Sequence, residues 1–534
     1  MTSNTAKYSR SSLYILITVF FFWGFLAASN SIFIPFCKAH FHLTQMESQL
    51  IDSAFYGAYF IGSFLLYLSS AANGSDVLNR IGYRKGIIFG LVISILGAFA
   101  MISAVHSGSF ALILGAFFLI ALGFSIQQTA ANPFVIALGN PATGAHRLNL
   151  GGGVNSFGTT LGPLIVSFFL FGSISGAAEA DISSINKLYL ILAGVFLLVV
   201  LIFAFSRLPE VTTNEKFGKT NKATWAMFLL TALLAGVIAL GFLTDVDKVL
   251  LLSGCLAGVL CILIGSYILA GKNGEGWGAM QYPQLILGMI AIFVYVGVEV
   301  TTQSNLGALL KTPEFGKIDK AQIDQYASLY WGSLMIGRWV GAITVFNPKG
   351  WLKKVLTLFI PLLAFSVILG VNMIRGNSVS GLLPYLICVG ILIAGFFFAA
   401  EKPVRTMILF SIMAGAGMII GLLTTGKIAT FAFLSGGLFC SVMWPCIFSL
   451  SIAGLGKYTS QGSSFLIMMI LGGAIIPPLQ GSLADSKAGI HASYVIPLIC
   501  FAYLAFYGWR VKFVLQKQGI DYDAAVGKDH PEID

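Results

Sequence analysis

Residues 56–62 read YGAYFIG and residues 331–337 read WGSLMIG, an aromatic-Gly pair followed four residues later by Ile-Gly in both. The glycines Gly57 and Gly332 are offset by 332 − 57 = 275 residues. A second match lies further along, between Pro133 of AANPF and Pro445 of VMWPCIF, with an offset of 445 − 133 = 312. Each proline is followed by a later stretch that holds both Gly and Pro, LGPLI after the first and AIIPPLQG after the second. The offsets differ by 312 − 275 = 37 residues, which is the length of one helix pair. The chain therefore reads as two similar halves, with an extra helix pair inserted in the second between Gly337 and Pro445.

Composition sets the medium in which these halves fold. Of 534 residues, 57% are hydrophobic and only 10% charged, and the mean hydropathy is +0.88. Soluble domains carry roughly 25% charged residues, so this is an all-α polytopic membrane protein. Apolar runs long enough to cross about 30 Å of hydrocarbon recur from Ser12 to the region of Lys512. The first, LYILITVFFFWGFLAASNSIFIPF, is too long for a signal-peptide core and is expected to remain as a span.

Spans are expected near 13–35, 51–72, 86–104, 109–138, 148–171 and 186–206, then 224–244, 249–270, 283–306, 325–346, 354–374, 382–400, 405–423, 428–452, 461–483 and 493–512. That makes about 16 transmembrane helices. The polar, basic stretch from Arg207 to Lys222 marks the halfway point. The expected organisation is a six-helix bundle over 1–206, a linker with an extra hairpin over 207–282, a second bundle over 283–512 whose own extra hairpin lies within about 354–423, and a tail over 513–534.

The net charge of +10 follows the loops. About 21 of the Lys and Arg residues fall on the side of the N-terminus and about 9 opposite, the asymmetry that places both termini in the cytoplasm. This accounts for the basic balance without nucleic acid. The seven cysteines lack CxxC spacing and read as buried thiols. His40 and His42 stand two apart in a loop and the other histidines are scattered, so no metal site is expected. The run Gly151-Gly152-Gly153 lacks the GKS/T ending and preceding strand of a phosphate loop, and reads as close helix packing. No Ser/His/Asp triad or carboxylate pair lies in the spans, so no enzyme activity and no cofactor are expected.

Polar residues inside the spans mark a pathway, because an amide in hydrocarbon must find a partner or face water. Gln128 and Asn132 are four apart and share a helix face, while Pro133 removes an N–H and frees a carbonyl one turn earlier. Asn30, Asn155, Gln303 and the aromatic Trp444 extend the set over several spans. Amides donate and accept without favouring an ion, which suits a small neutral polyhydroxylated ligand; the competing reading for each is helix-to-helix bonding.

The segments FFFWGFLAASNSIFIPF, QQTAANPFVIALGNPATGAHRLNLGGGVNSFGTTLGP, FVYVGVEVTTQS, LYWGSLMIGRWVG and IAGLGKYTSQGSSFLIMMILGGAIIPPLQG resemble the fucose:proton symporter and glucose/galactose transporter family of the major facilitator superfamily. The resemblance implies a major facilitator fold of two six-helix bundles, here with two extra helix pairs. It further implies import of a monosaccharide by alternating access, with a co-transported proton or sodium ion. The sugar-binding residues it points to are Asn30, Gln128, Asn132, Asn155, Gln303 and Trp444.

Departures from the family pattern bear on coupling. Where the family has Asn-Asp-Ile-Leu-Ile-Pro, this chain has Asn30-Ser31-Ile32-Phe33-Ile34-Pro35, and Ser31 carries no acid. Gln128 stands where the fucose branch has Glu, as in the glucose/galactose branch. Two acids remain as coupling candidates: Glu299, well inside its span, and Asp52, near the outer end of the second. Asp76, Arg80, Arg84 and Lys85 resemble the inner loop motif that braces the two halves, and Arg338 is expected to pair at the inner gate. The expectation is a monomeric hexose-type importer of a bacterial inner membrane, in contact with lipid. An uncoupled facilitator and a non-transporting sugar sensor are the alternatives.

Overall fold

The computed structural model describes residues 10–43, 45–172, 183–210, 215–244 and 246–526; at some helical positions, among them Asn30, Ser31, Pro35 and Asp52, only the backbone is described. The helices of the first half are α1 Arg10–His40, α2 Gln45–Asn73, α3 Tyr83–Ser107, α4 Phe110–Ala137, α5 Gly144–Phe171 and α6 Ser183–Phe205. A hairpin follows, α7 Asn221–Leu243 and α8 Lys248–Lys272. The second half comprises α9 Pro283–Ser304, α10 Lys320–Ala342, α11 Gly350–Ile374, α12 Leu386–Ala399 and α13 Pro403–Leu423. It ends with two broken helices and a long one: α14 Gly426–Cys440 continuing as Met443–Ser451, α15 Thr459–Met468 continuing as Gly472–Asp485, and α16 Val495–Lys517.

Fifteen helical segments among the described residues are long and apolar enough to cross a membrane. The remaining long helix, α10, corresponds to the expected span 325–346 but carries Lys320, Asp324 and Arg338, and falls short of that apolarity. In hydrocarbon the helix is the form that pairs every backbone group within its own segment, which is why apolar runs of this length become helices whatever their propensity. The ends are set locally. Ser109 and Asp247 accept N–H bonds at the starts of α4 and α8, and Gly108 and Gly172 end α3 and α5 with φ of 64° and 68°.

The repeat legible in the sequence is a repeat of packing. A Cβ at Gly158 of α5 would collide with the carbonyl of Phe21 on α1, and one at Gly472 of α15 would collide with the carbonyl of Phe293 on α9. Backbones thus meet at equivalent crossings in both halves. In the matched segments, Gly62 of α2 faces Ser125 on α4 and Gly337 of α10 faces Ser441 of α14. Helix α3 packs on α4 and α6, and α13 packs on α14 and α16. By this correspondence α11–α12 is the pair without a counterpart in the first half.

The other extra pair, α7–α8, lies against both halves. Tyr67 of α2 shares a 2.8 Å hydrogen bond with Thr224 of α7, while α8 packs on α9 and α15. Both pairs expose large apolar side chains, including Trp225, Leu250, Trp351, Phe359, Ile387 and Phe398.

Candidate functional site

Two prolines place the central contacts. Pro133 sits inside α4 and Pro445 inside the second segment of α14. Lacking N–H groups, they leave the carbonyls of Thr129 and Ser441, four residues earlier, without their helical donors. Each carbonyl has another partner. Ser463 of α15 donates to Thr129 O at 2.8 Å, joining the second half to the first, and Arg338 Nε donates to Ser441 O at 3.2 Å.

Arg338 spreads its remaining donors across the seam. Nη1 reaches Ser156 Oγ of α5 at 2.7 Å and approaches Gly152 O at 3.5 Å, both in the first half. Nη2 faces Tyr295 OH at 3.4 Å and Glu299 Oε1 at 3.5 Å, both on α9. The Glu299 and Arg338 side chains are only 14% and 10% exposed, so this ion pair is largely removed from water. Tyr295, one turn before Glu299, donates to the same carboxylate oxygen at 3.0 Å, and Tyr330 OH donates to the Glu299 backbone carbonyl at 2.7 Å. At 3.5 Å the Arg338 contact is electrostatic more than a tight hydrogen bond, so the tyrosine fixes the carboxylate's position and the arginine balances its charge.

The amides expected to hold ligand differ in their partners. Gln128 is half-buried and donates to Tyr59 OH at 3.0 Å. Asn132 is buried and its Nδ2 has no partner among the described residues. Asn155 donates to the Phe20 carbonyl of α1 at 3.1 Å, which is a helix-to-helix bond. Gln303 is half-buried one turn beyond Glu299, and the half-buried Trp444 has its ring centroid 6.0 Å from that of Tyr295. The side chains of Asn30, Ser31 and Asp52 lie outside the described residues.

On the side where α1 begins, contacts between the halves close the seam. Trp339 Nε1 donates to Gly153 O at 3.3 Å, and His146 on α5 places its ring nitrogens 3.0 Å from Gly341 O and 3.2 Å from Glu401 O. Cβ atoms at Gly152 and Gly153 would press on Arg338 and Trp339, so the Gly151–Gly153 run is the close-packing surface expected of it. Asp76 caps the turn Val77–Ile81 through Asn79 N at 3.1 Å and accepts from Ser460 of α15, while Asn79 Nδ2 donates to Lys457 O at 2.9 Å. Burial raises the Asp76 carboxyl above its ordinary range, against the lowering pull of the Ser460 and Asn79 hydrogen bonds.

Not all of the expected gating charges reach across the seam. Arg84 bonds to Ser206 O at 3.0 Å and pairs with Glu210 at 3.4 Å, beside the end of α6, and Arg80 is exposed. Lys85 is exposed as well, and of the five charges Asp76 and Arg338 join the halves. Sequence reasoning passed over Ser156, Tyr330, Ser460, Ser463 and His146 as partners. The four-residue spacing of Tyr295 and Glu299 on one helix face was a readable signal for that pair; serines give no such signal.

No protein-family model matches the chain. It is 33% identical over 511 residues to the glucose/galactose transporter of Brucella abortus biovar 1 (strain 9-941), covering 95% of each chain. It is 23% identical over 504 residues to the L-fucose-proton symporter of Escherichia coli (strain K12), covering 91% of this chain and 90% of that one. A crystal structure of the E. coli fucose:proton symporter aligns with a TM-score of 0.62 at 21% identity, over 93% of this chain and 98% of that one. A relative of that identity spanning nearly all of both chains, on a shared helical fold, shows the family: the chain belongs to the glucose/galactose transporter and fucose:proton symporter family of major facilitator transporters, and is a multi-pass transporter rather than an enzyme.

Proposed function

We propose that this protein imports a neutral hexose by alternating access, coupled to a proton through Glu299. The observation that carries the reading is the buried chain Glu299–Arg338–Ser156, which links a carboxylate of the second half to the first half. Neutralising Glu299 leaves Arg338 as an uncompensated buried charge, a state disfavoured by about 3–5 kcal/mol. The arginine's hold on Ser156 and the Gly152 carbonyl is then the contact that must rearrange, which ties proton binding to movement of the halves. A proton suits this shell better than sodium. The neighbours of the carboxylate are a phenol that donates and a guanidinium, whereas a metal cation needs several oxygen ligands.

The unpartnered Asn132 amide, with Gln128, Gln303 and the Trp444 ring, supplies the mixed amide and aromatic surface a sugar requires. The names of the relatives favour glucose or galactose as the substrate. The basic-loop asymmetry supports a cytoplasmic face for the termini in a bacterial inner membrane. A second reading, an uncoupled facilitator, is favoured by Ser31 and Gln128, which occupy positions where acids stand in the fucose branch. Counterflow of labelled glucose and galactose into proteoliposomes tests the transport reading. Saturable exchange is expected, and correctly inserted protein that exchanges no monosaccharide contradicts it.

A further inference from the structure

A cavity of about 240 Å³, lined by none of Gln128, Asn132, Asn155, Gln303 and Trp444, lies between α5 of the first half and α10–α14 of the second. Its size is near the ~300 Å³ lower end for small-molecule sites. Its polar lining includes His146, Asn149, Lys353, Lys354, Glu401 and Thr406.

Three independent features give it a chemical preference. First, Gly350 at the start of α11 lines the cavity, and this 25-residue helix has no side-chain N-cap and no acid in its first turn. Its leading N–H groups and positive dipole end are therefore open to an anion. Second, the first turn and the residue after it carry Lys353 and Lys354, cations at the end of a helix where cations are unfavourable. Lys353 is held by Glu401 at 2.5 Å, whereas Lys354 is exposed. Third, Asn149 is buried and its Oδ1 has no partner among the described residues, so the far wall needs a donor. An anion alone satisfies the first two and leaves the third unmet. A hydroxyl-bearing phosphate monoester meets all three, with its phosphate at Lys354 and the α11 N-terminus and a hydroxyl donating to Asn149.

The turn that closes the cavity is strained. Ala400 and Glu401 have φ of 51° and 64°, a conformation non-glycine residues rarely adopt, and Glu401 is fixed there by Lys353 and by His146 at its carbonyl. Because Asn149 and His146 belong to the first half and Lys354 and Glu401 to the second, a ligand here spans the two halves on the closed face.

We infer that this cavity is a regulatory site for a phosphorylated sugar, whose binding holds the inner face shut. Resting on the transport reading for its purpose, this places the protein upstream of a sugar-phosphorylating reaction whose product slows further uptake.

The test uses the full-length chain in phosphatidylcholine nanodiscs and vesicles. Equilibrium binding of glucose-6-phosphate is measured for wild type, Lys354→Ala, Lys354→Arg and Asn149→Ala, with inorganic phosphate and unphosphorylated glucose as competitors. Saturable binding is expected, weakened roughly tenfold by Lys354→Ala and less by Lys354→Arg. Inorganic phosphate should compete weakly and glucose not at all. In counterflow, glucose-6-phosphate on the side of the N-terminus should slow wild type several-fold and leave Lys354→Ala at its own basal rate. Absence of binding to wild type, or equal binding to all four proteins, overturns the inference. So does a Lys354-dependent effect that appears only when phosphatidylglycerol is added to the bilayer, since the ligand is then a lipid headgroup. Because binding is read without transport, wild type that binds the phosphate ester but exchanges no sugar refutes the transport reading alone. Normal exchange without binding refutes this site alone.

Discussion

Ser463 donates to the carbonyl of Thr129 at 2.8 Å, and that carbonyl is available because Pro133, four residues on, has no N–H to claim it. A proline in α4 of one half thus creates an acceptor for a serine in α15 of the other. Removing the hydroxyl by Ser463→Ala strands a buried carbonyl, a cost of about 1–3 kcal/mol borne only by the closed arrangement. The variant is expected to populate the inward-open state more than wild type. Alkylation of Cys446, which is buried and lines the cavity between α5 and α10–α14, should accelerate.

Arg338→Lys keeps the charge but loses the planar fork that serves Ser441 O, Ser156 Oγ and the Tyr295–Glu299 pair together. Accumulation of sugar is expected to fall by roughly tenfold or more, as loss of a charge-assisted bond of about 1.5–3 kcal/mol implies. Uptake measured under an imposed proton gradient checks this, with protein amount and insertion held equal.

The closed inner face should depend on pH through Asp76. Its carboxyl is raised by burial in the closed arrangement and returns to an ordinary value, about 3.9, when solvated. The closed state then binds more protons between those two values. Its advantage is fully present below the ordinary value and declines as pH rises through the raised one. Asp76→Asn should retain closure and flatten this dependence, which Cys446 alkylation across pH would register.

Two glycine substitutions separate close packing from composition. Gly158→Ala puts a methyl group into the Phe21 carbonyl of α1 and is expected to lower thermal stability by several degrees. Gly57→Ala, where nothing lies within 4 Å, should be neutral. Melting of the two variants in the same detergent gives the comparison.

Much of this architecture was readable from residue order. Each of the sixteen expected spans coincides with a helix; for fifteen of them length and apolarity suffice, while α10, which carries Lys320, Asp324 and Arg338, falls short of that apolarity and is buried between its neighbours instead. The offset of the Gly62 and Gly337 segments identified equivalent packing positions before any contact was known. What the sequence could not supply was partnership across the seam. Nothing about Arg84 distinguishes a bond to Ser206 and Glu210 from a bond to the second half, and nothing marks Ser460 or Ser463 among the chain's many serines. Asn155 reads as a ligand amide by residue type yet bonds to the Phe20 carbonyl, since an amide in a bundle serves either purpose. The freed carbonyl of Thr129 was legible from Pro133, but its use by Ser463 required the tertiary fold.

The central claim is that Glu299 couples proton movement to sugar movement. It is tested most directly by comparing wild type with Glu299→Gln in proteoliposomes under an imposed proton gradient, measuring both accumulation and counterflow of labelled hexose. Glutamine keeps the side chain's size and an acceptor for Tyr295 while removing the charge. The account predicts that wild type accumulates sugar against its gradient, and that the variant still exchanges sugar but no longer accumulates it. Equal accumulation by both proteins, or accumulation by neither alongside normal exchange in both, would contradict it.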